Sequence, residues 1–165
     1  MSDRILIWGA GAIGGTAGAY LARAGHDVTF VDVVADHVAR VRDHGLQITG
    51  PVDNFTVKVR AFTPDQVKGT WQHVYLAATE ALKPHLSDDG YVLSLQNGLC
   101  ELEIEKIVGR ERTMGAFINY GADWHAPGEI LYGNRGAVVL GELDGAMTPR
   151  LAALHAVMRN FEPEA

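Results

Sequence analysis

The apolar positions in the first third of the chain alternate between short continuous runs and longer stretches with helical spacing. Residues 5–8 and 28–31 are short runs rich in apolar and β-branched side chains, typical of strands buried on both faces. Between them, residues 12–24 are rich in alanine and stop before Gly25, where a helix commonly ends. Residues 36–44 predict a second helix. Parallel strands require such helical crossovers, so this part of the chain predicts a parallel sheet.

Farther along, apolar and polar residues alternate. Residues 46–49 and 55–59 alternate around a Gly-Pro pair, which predicts a hairpin near a sheet edge. The other predicted strands cover residues 73–77, 91–95, 129–132 and 137–140, the last two of them antiparallel. The other predicted helices cover residues 79–86, 99–108 and 147–161, and Pro84 should break or kink the first of these. The pattern therefore predicts an α/β fold with a doubly wound, mostly parallel sheet and antiparallel strands late in the chain.

Composition and charge limit the class of protein. The chain has 165 residues, of which 47% are hydrophobic and 21% charged, so it can form one domain with a buried core. Its formal net charge of −6 argues against nucleic acid or an anionic membrane as the main partner. Gly9 interrupts the first apolar run too early for a signal peptide or a membrane span. Cys100 is the only cysteine, which excludes a disulfide within one chain, and we expect a cytoplasmic protein.

A glycine pattern follows the first predicted strand directly. Gly9, Gly11 and Gly14 form G-x-G-x-x-G, and Asp32 ends the second predicted strand 18 residues after the last glycine. In this context the pattern is the dinucleotide-binding fingerprint, although a strand–turn–helix without a ligand is the alternative. The three glycines permit a tight turn, close approach to a pyrophosphate and close packing of the helix on the sheet. We expect the cofactor to contact the whole segment, namely Gly9, Ala10, Gly11, Ala12, Ile13 and Gly14.

Asp32 bears on the choice of cofactor. A carboxylate at this position can accept hydrogen bonds from both hydroxyls of the adenine ribose and would repel a 2′-phosphate, so it favours NAD over NADP. No arginine follows it directly, and Arg40 on the next predicted helix is the next basic candidate. The alternatives are an ordinary solvated aspartate or a cap for the segment that follows.

A second polar group follows the strand predicted at residues 91–95. Asn97 in Gln-Asn-Gly would lie at the carboxyl end of a parallel strand, where open α/β sheets bind ligands. It could hydrogen-bond a nicotinamide ribose or a substrate oxygen, although a helix N-cap or a turn explains it equally well. No histidine pair has metal-ligand spacing, so we predict no metal. His125 is more simply a surface loop residue, and Cys100 an inert thiol.

Several segments together resemble the amino-terminal domain of the ketopantoate reductase family, the 2-dehydropantoate 2-reductases and their relatives. These segments are residues 5–14, 24–28, 94–99, 121–128 and 140–145. The Gln-Asn-Gly strand end and the late Gly-Glu-x-Asp-Gly are more specific than the glycine pattern, which many dehydrogenases share. The resemblance implies a Rossmann domain that binds NADP(H), followed by a helical domain that closes the active site.

The resemblance also implies roles for particular residues. Residues 9–14 would hold the pyrophosphate, Asn97 would contact cofactor and substrate, and Gly121 would lie near the nicotinamide in the loop after the sixth strand. Three departures stand out. Typical members carry a basic residue near the position of Asp32, where this chain has the acid. The family has a lysine just after the fourth strand, where residues 77–79 of this chain contain none. The family's catalytic lysine and a later carboxylate belong to a second domain that is absent here. The catalytic residue therefore stays unassigned.

These considerations predict a domain organisation. Residues 1–146 should form the Rossmann domain, and residues 147–165 a linker helix that leads to a missing helical domain. That domain is expected to cover the helix's apolar stripe, which consists of Leu151, Leu154, Val157, Met158 and Phe161. The last four residues, Glu-Pro-Glu-Ala, have the character of a junction. Because the predicted strand and helix nearly abut at residues 77–79, we also suspect missing residues between about Leu76 and Thr79.

The sequence thus predicts an NAD(P)-dependent oxidoreductase that resembles 2-dehydropantoate 2-reductase and belongs to pantothenate biosynthesis. Hydride would pass between the nicotinamide and a 2-oxo or 2-hydroxy acid, and NAD is the favoured cofactor. One alternative is another two-domain dehydrogenase, of the opine or 3-hydroxyacyl type. The other is a non-catalytic redox sensor that binds the dinucleotide. The expected partner is the small-molecule substrate, without nucleic acid or membrane, and a homodimer is a further expectation.

Overall fold

A seven-stranded sheet forms the centre of the protein. The computed structural model describes residues 4–76 and 80–163. The strand order is β11-β8-β7-β6-β1-β2-β5, and every neighbouring pair is parallel except β11 and β8. The strands are β1 (Arg4–Trp8), β2 (Asp27–Val31), β5 (Arg60–Phe62), β6 (Trp71–Leu76), β7 (Leu86–Ser94), β8 (Thr113–Ile118) and β11 (Val138–Glu142). The predicted α/β fold with a mostly parallel sheet is confirmed.

A second sheet of four strands contains the predicted hairpin. Its order is β4-β3-β10-β9, with β3 (Leu46–Thr49), β4 (Phe55–Val57), β9 (Gly121–Ala126) and β10 (Glu129–Asn134). The hairpin of β3 and β4 is antiparallel as predicted, but β3 also pairs in parallel with β10, about 80 residues later in the chain. The two late strands are each antiparallel to a neighbour, yet they lie in different sheets.

In the part of the chain that the structure describes, four α-helices connect and cover these strands. They are α1 (Ala12–Arg23), α2 (Ala35–His44), α3 (Glu101–Val108) and α4 (Pro149–Met158), and short 3-10 helices span Glu80–His85 and Arg110–Arg112. Pro84 lies within the first 3-10 helix, where an α-helix was predicted. Residues 77–79 lie outside the described part of the chain, and with them the suspected deletion. No helix among the described residues is long and apolar enough to cross a membrane.

Helix α1 lies between the two sheets, and its glycines permit this arrangement. A Cβ atom on Gly18 would come within 2.6 Å of the Phe30 ring on the main sheet. A Cβ atom on Gly15 would overlap the Ile130 side chain on the second sheet and come within 2.7 Å of the Ala10 carbonyl oxygen. Larger side chains on either face would therefore separate the helix from a sheet and disrupt the close-packed core.

The final helix packs on this same core. Leu151, Leu154, Met158 and Phe161 are each less than a tenth exposed and belong to the main hydrophobic cluster, with Val157 packed against it. The expectation that a missing domain covers this stripe is therefore wrong. An amphipathic pattern shows that a face is buried but does not show what buries it.

A charged cluster fixes the start of α4 to the end of β11. The Glu142 side chain is only 4% exposed and accepts hydrogen bonds from Arg150 Nε (2.7 Å) and from the Thr148 hydroxyl. The hydrogen bonds from Arg150 lower the pKa of Glu142, and burial opposes them only in part. The carboxylate form is thus stabilised in the folded protein.

We predict that Glu142→Gln destabilises the fold at pH 7 by about 1–3 kcal/mol, the range for hydrogen bonds to charged groups. Since folding lowers the pKa, the wild-type advantage is complete above the unfolded pKa, about 4.3, and is lost as the pH falls through the folded value. Urea unfolding at pH 7 and pH 3 measures both effects. Glu111→Gln, at an exposed glutamate, is the control. A wild-type advantage unchanged at pH 3 would contradict the assignment.

Candidate functional site

A cavity of about 480 Å³ opens at the carboxyl ends of the parallel strands. Its volume is in the range of small-molecule sites, and its position is the edge where open α/β sheets bind ligands. The residues that line it are Trp8, Gly9, Gly11, Ala12, Ile13, Gly14, Asp32, Tyr75, Leu95, Gln96, Asn97 and Ile118. The structure thus brings the glycine turn, Asp32 and Asn97 to one cavity, as their places at strand ends suggested.

The three glycines of the turn meet three different constraints. Gly9 has a φ of +109°, which disfavours other residues, and its N–H donates to the Val31 carbonyl at 2.7 Å. Gly11 faces open space, with no atom within 4 Å of where a Cβ would lie. A Cβ on Gly14 would overlap the Gly9 carbonyl oxygen, so this glycine lets α1 start against the strand. Gly9 also has no atom within 4 Å of a Cβ position, so Gly9 and Gly11 both leave room for a ligand, whereas Gly14 does not.

The amino terminus of α1 faces the open position at Gly11. The helix begins at Ala12, and its N-cap residue Gly11 has no side chain to satisfy the first backbone N–H groups. The N–H groups of a first helical turn lack partners within the helix and carry the positive end of the helix dipole. Such a terminus, open to a cavity, can bind an anionic group.

Asp32 has a structural role as well as a place in the cavity. Its Oδ2 accepts from the Ala10 N–H at 2.8 Å, and its Oδ1 accepts from the Val34 N–H at 2.9 Å. The carboxylate therefore caps the segment that follows, which was one of the alternatives. Each oxygen retains a further lone pair for a ligand hydroxyl. The next two residues are exposed valines, so no cation follows Asp32 directly.

Asn97 does not cap a helix. Helix α3 has Cys100 at its N-cap position, and Gly98, with a φ of +111°, makes the chain turn directly after Asn97. The turn interpretation is therefore supported and the N-cap interpretation is not. Asn97 is exposed at the mouth of the cavity beside Gln96. Its amide can both donate and accept hydrogen bonds.

Ala10 and Gly121 lie outside the cavity lining. Gly121 begins β9 directly after β8 and Tyr120, and a Cβ there would overlap the Asn134 side chain. The loop expected at this position is a strand, because residues 121–126 pair with β10. His125 is exposed as expected, but it lies on β9 and not in a loop.

Two aromatic residues were missed by the sequence analysis. Tyr75 is buried on β6 and lines the cavity. Tyr120 is buried beside α1, and its hydroxyl donates to the Ile13 carbonyl at 2.8 Å. Burial raises the pKa of Tyr120, so the hydroxyl stays protonated as a donor. Local sequence patterns contain no signal for the contact between Tyr120 and Ile13, because the two residues are 107 positions apart in the chain.

The cavity is suited to binding more than to acid–base chemistry. Among the described residues, its lining contains one carboxylate, two amides and the Tyr75 phenol, and no lysine, arginine or histidine. Among residues 4–76 and 80–163, no group of three or more His, Cys, Asp or Glu side chains is placed to hold a metal ion. The site therefore offers backbone N–H groups, a hydroxyl acceptor and apolar walls.

The fold and the cavity define a Rossmann-type α/β domain. The sequence matches the family described as "Ketopantoate reductase PanE/ApbA" over residues 5–145. The chain belongs to the ketopantoate reductase family. The resemblance found in the sequence is thus confirmed, and the opine and 3-hydroxyacyl dehydrogenase alternatives are set aside.

Individual relatives agree with this assignment. The chain is 32% identical over 161 residues to a 2-dehydropantoate 2-reductase of Archaeoglobus fulgidus, covering 96% of this chain and 53% of the relative. It is 34% identical over 145 residues to the 2-dehydropantoate 2-reductase of Pyrococcus abyssi, covering 84% of this chain and 47% of the relative. The chain thus spans about half the length of these curated relatives.

Solved structures show the same fold. The 2-dehydropantoate 2-reductase of Geobacter metallireducens superposes with a TM-score of 0.86 at 30% identity, over 96% of this chain and 55% of the other. A D-mandelate dehydrogenase, in a ternary structure with NADH and anilino(oxo)acetate, superposes with a TM-score of 0.83 at 25% identity, over 96% and 54%.

We predict that Gly11→Ala and Gly14→Ala differ sharply in stability. The Gly11 methyl group would enter open space on a compatible backbone, so its effect should be about 0.5 kcal/mol or less. The Gly14 methyl group would collide with rigid backbone, at about 1–3 kcal/mol. Urea unfolding of both variants measures the difference. Equal losses, or a larger loss for Gly11→Ala, would show that the turn is not built in this way.

Proposed function

We propose that this chain is the dinucleotide-binding part of an NAD(P)-dependent oxidoreductase that acts in the cytoplasm on a 2-oxo acid. The observation that carries the proposal is the open Gly11 position at the amino terminus of α1, with Asp32 beside it in the same cavity. Among members of this family the named relatives are 2-dehydropantoate 2-reductases, and their substrate is the first candidate. A homodimer remains a prediction.

The residues present suit a dinucleotide. Within residues 9–14, the N–H groups of Gly9 and Ala10 are already bonded to Val31 and Asp32, so residues 11–14 supply the backbone N–H groups and the helix dipole for the pyrophosphate. No bulky side chain lies at Gly11, the point of closest approach. The Asp32 carboxylate supplies acceptors for ribose hydroxyls. When bound, the nicotinamide supplies the hydride. Gly121 would contribute indirectly, because it follows Tyr120, whose hydroxyl holds the first turn of α1.

Asp32 and its surroundings favour NAD over NADP. Two backbone N–H groups hold the carboxylate in place, so it cannot turn away from a 2′-phosphate without losing both hydrogen bonds. Val33 and Val34 are 79% and 46% exposed and supply no compensating charge. Arg40, the next basic candidate, has its side chain against the Gly128 turn. Like charges side by side in a binding site cost several kcal/mol.

Asn97 is the proposed contact to both cofactor and substrate. Its amide lies at the cavity mouth and can hydrogen-bond a ribose hydroxyl or the oxygen of a 2-oxo acid. The D-mandelate dehydrogenase with similar fold was solved with NADH and anilino(oxo)acetate, a 2-oxo compound. This agrees with a 2-oxo or 2-hydroxy acid as the substrate class.

A second candidate function is a sensor that binds the dinucleotide without turnover. It is favoured because no lysine or histidine occurs among the described residues that line the cavity. Reduction of a ketone requires a proton donor within hydrogen-bonding distance of the carbonyl oxygen. Lys58 and Lys106 instead bond the Asp43 carbonyl and Glu103, Lys68 connects β5 to β6, and Lys83 lies on a 3-10 helix.

We predict that the chain binds NADH at least about tenfold more tightly than NADPH, because the 2′-phosphate would lie beside Asp32. Asp32→Asn should reduce this preference, while Asp36→Asn, at an exposed aspartate on α2, should leave it unchanged. Isothermal titration calorimetry in one buffer gives both dissociation constants, with Gly11→Ala as the variant expected to lose binding. Equal affinities or tighter NADPH binding would contradict the cofactor assignment, and absence of binding to either would contradict the proposed function.

We also predict that the 165-residue chain oxidises NADH in the presence of 2-dehydropantoate far below the usual enzymatic range of about 1–1000 per second. The physical reason is that no lysine or histidine is found among the described residues that line the cavity. A longer chain that carries the second half found in the relatives should show normal turnover, whereas a sensor would not. Turnover in the usual range by the 165-residue chain would show that a donor exists among residues such as His125, Tyr120 or Lys83.

A further inference from the structure

A buried histidine lies between the glycine turn and the second sheet. His37 on α2 is 1% exposed, and its ring nitrogens contact two segments that are distant in sequence. Nε2 lies 2.9 Å from the Ala10 carbonyl oxygen. Nδ1 lies 2.9 Å from the Gly128 backbone nitrogen and 3.2 Å from Trp124 Nε1, both in the hairpin of β9 and β10.

The hydrogen bonds identify the tautomer of His37. A backbone N–H and an indole N–H can only donate, so Nδ1 must accept from Gly128 and Trp124. The ring proton is then on Nε2, which donates to the Ala10 carbonyl. Both nitrogens are satisfied, as expected for a buried polar side chain.

Both ends of Ala10 are held by side chains. Its N–H donates to Asp32, and its carbonyl accepts from His37. In a trans peptide the carbonyl and the following N–H point in opposite directions. The N–H of Gly11 therefore points away from His37, and Gly11 lines the cavity with open space around it.

We propose that His37 is a positioning residue for the anion-binding turn. Its Nε2–H fixes the Ala10–Gly11 peptide so that the Gly11 N–H faces the cavity, where it donates to the pyrophosphate of the dinucleotide. Through Nδ1 the same ring ties this peptide to the Gly128 turn of the second sheet. The inference rests on the proposed function, since it requires that the cavity binds a dinucleotide. The competing explanation is a histidine that only stabilises the core.

Two substitutions separate the two nitrogens of the ring. The amide oxygen of asparagine can take the place of Nδ1 and accept from Gly128, but the side chain is too short to reach Ala10. The amide nitrogen of glutamine can take the place of Nε2 and donate to Ala10, but it leaves Gly128 and Trp124 without an acceptor. His37→Asn thus removes the hydrogen bond to the Ala10 carbonyl in the glycine turn. His37→Gln removes the hydrogen bonds from Gly128 and Trp124 in the hairpin of β9 and β10.

The test measures the dissociation constant of NADH by calorimetry and the unfolding temperature of the same samples. We expect His37→Asn to weaken NADH binding about 10- to 100-fold, the value of an oriented hydrogen bond to a charged group, and His37→Gln to bind within about threefold of wild type. His44→Asn and His44→Gln, at an exposed histidine on the same helix, are matched controls and should bind as wild type does.

The outcomes separate the two proposals. If the wild-type chain binds no NADH, the proposed function fails and the role of His37 with it. If wild type binds but His37→Asn binds equally well, or if affinity in both variants simply follows their loss of unfolding temperature, the positioning role is refuted and the proposed function stands. If either variant fails to fold, the test is the NMR resonance of the Gly11 backbone amide in the wild-type chain. We expect this resonance to shift when NADH is added, and the absence of a shift refutes the proposal.

Discussion

The close packing of α1 against both sheets determines where the amino terminus of this helix lies. This helix lies between two sheets, and Gly15 and Gly18 contact them closely enough that no larger side chain fits. Gly14 brings the start of the helix against the carbonyl of Gly9 at the end of β1. The amino terminus of the helix is therefore held at the edge of the parallel sheet, with its unpaired N–H groups facing the cavity. The proposed anion site depends on this packing.

Polar contacts fix the turn that borders the cavity. Asp32 holds the Ala10 N–H and the Val34 N–H while it lines the cavity. His37 holds the Ala10 carbonyl, and Tyr120 holds the Ile13 carbonyl from the far side of α1. A turn that is fixed in advance loses less conformational entropy when it binds. The second sheet contributes Tyr132 and Ile130 to the core, and its Gly128 and Trp124 bond the His37 ring that holds the turn. Its described residues do not line the cavity themselves.

The cavity suits only one of the two tasks that the proposed function requires. Binding a dinucleotide requires backbone N–H groups, a hydroxyl acceptor and apolar walls, and the described residues provide all three. Proton transfer to a ketone requires an acid close to its oxygen, and within residues 4–76 and 80–163 no lysine or histidine lines this cavity. The chain spans about half the length of its curated relatives.

The sequence by itself determined the features whose signals are local. The strand–turn–helix at Gly9–Gly14 and the acid at Asp32 could be predicted because their spacing lies within about thirty residues. The family could be predicted because each segment that resembles it is a short local motif. Tertiary structure decided the rest, because contact partners far apart in sequence have no periodic signal. It paired β3 with β10, placed the stripe of α4 on the domain's own core, and joined His37 to Ala10 and Gly128, which are 27 and 91 residues away. The sequence indicates which apolar side chains must be buried and which polar groups must be hydrogen-bonded. Only the folded chain determines the residues with which they make contact.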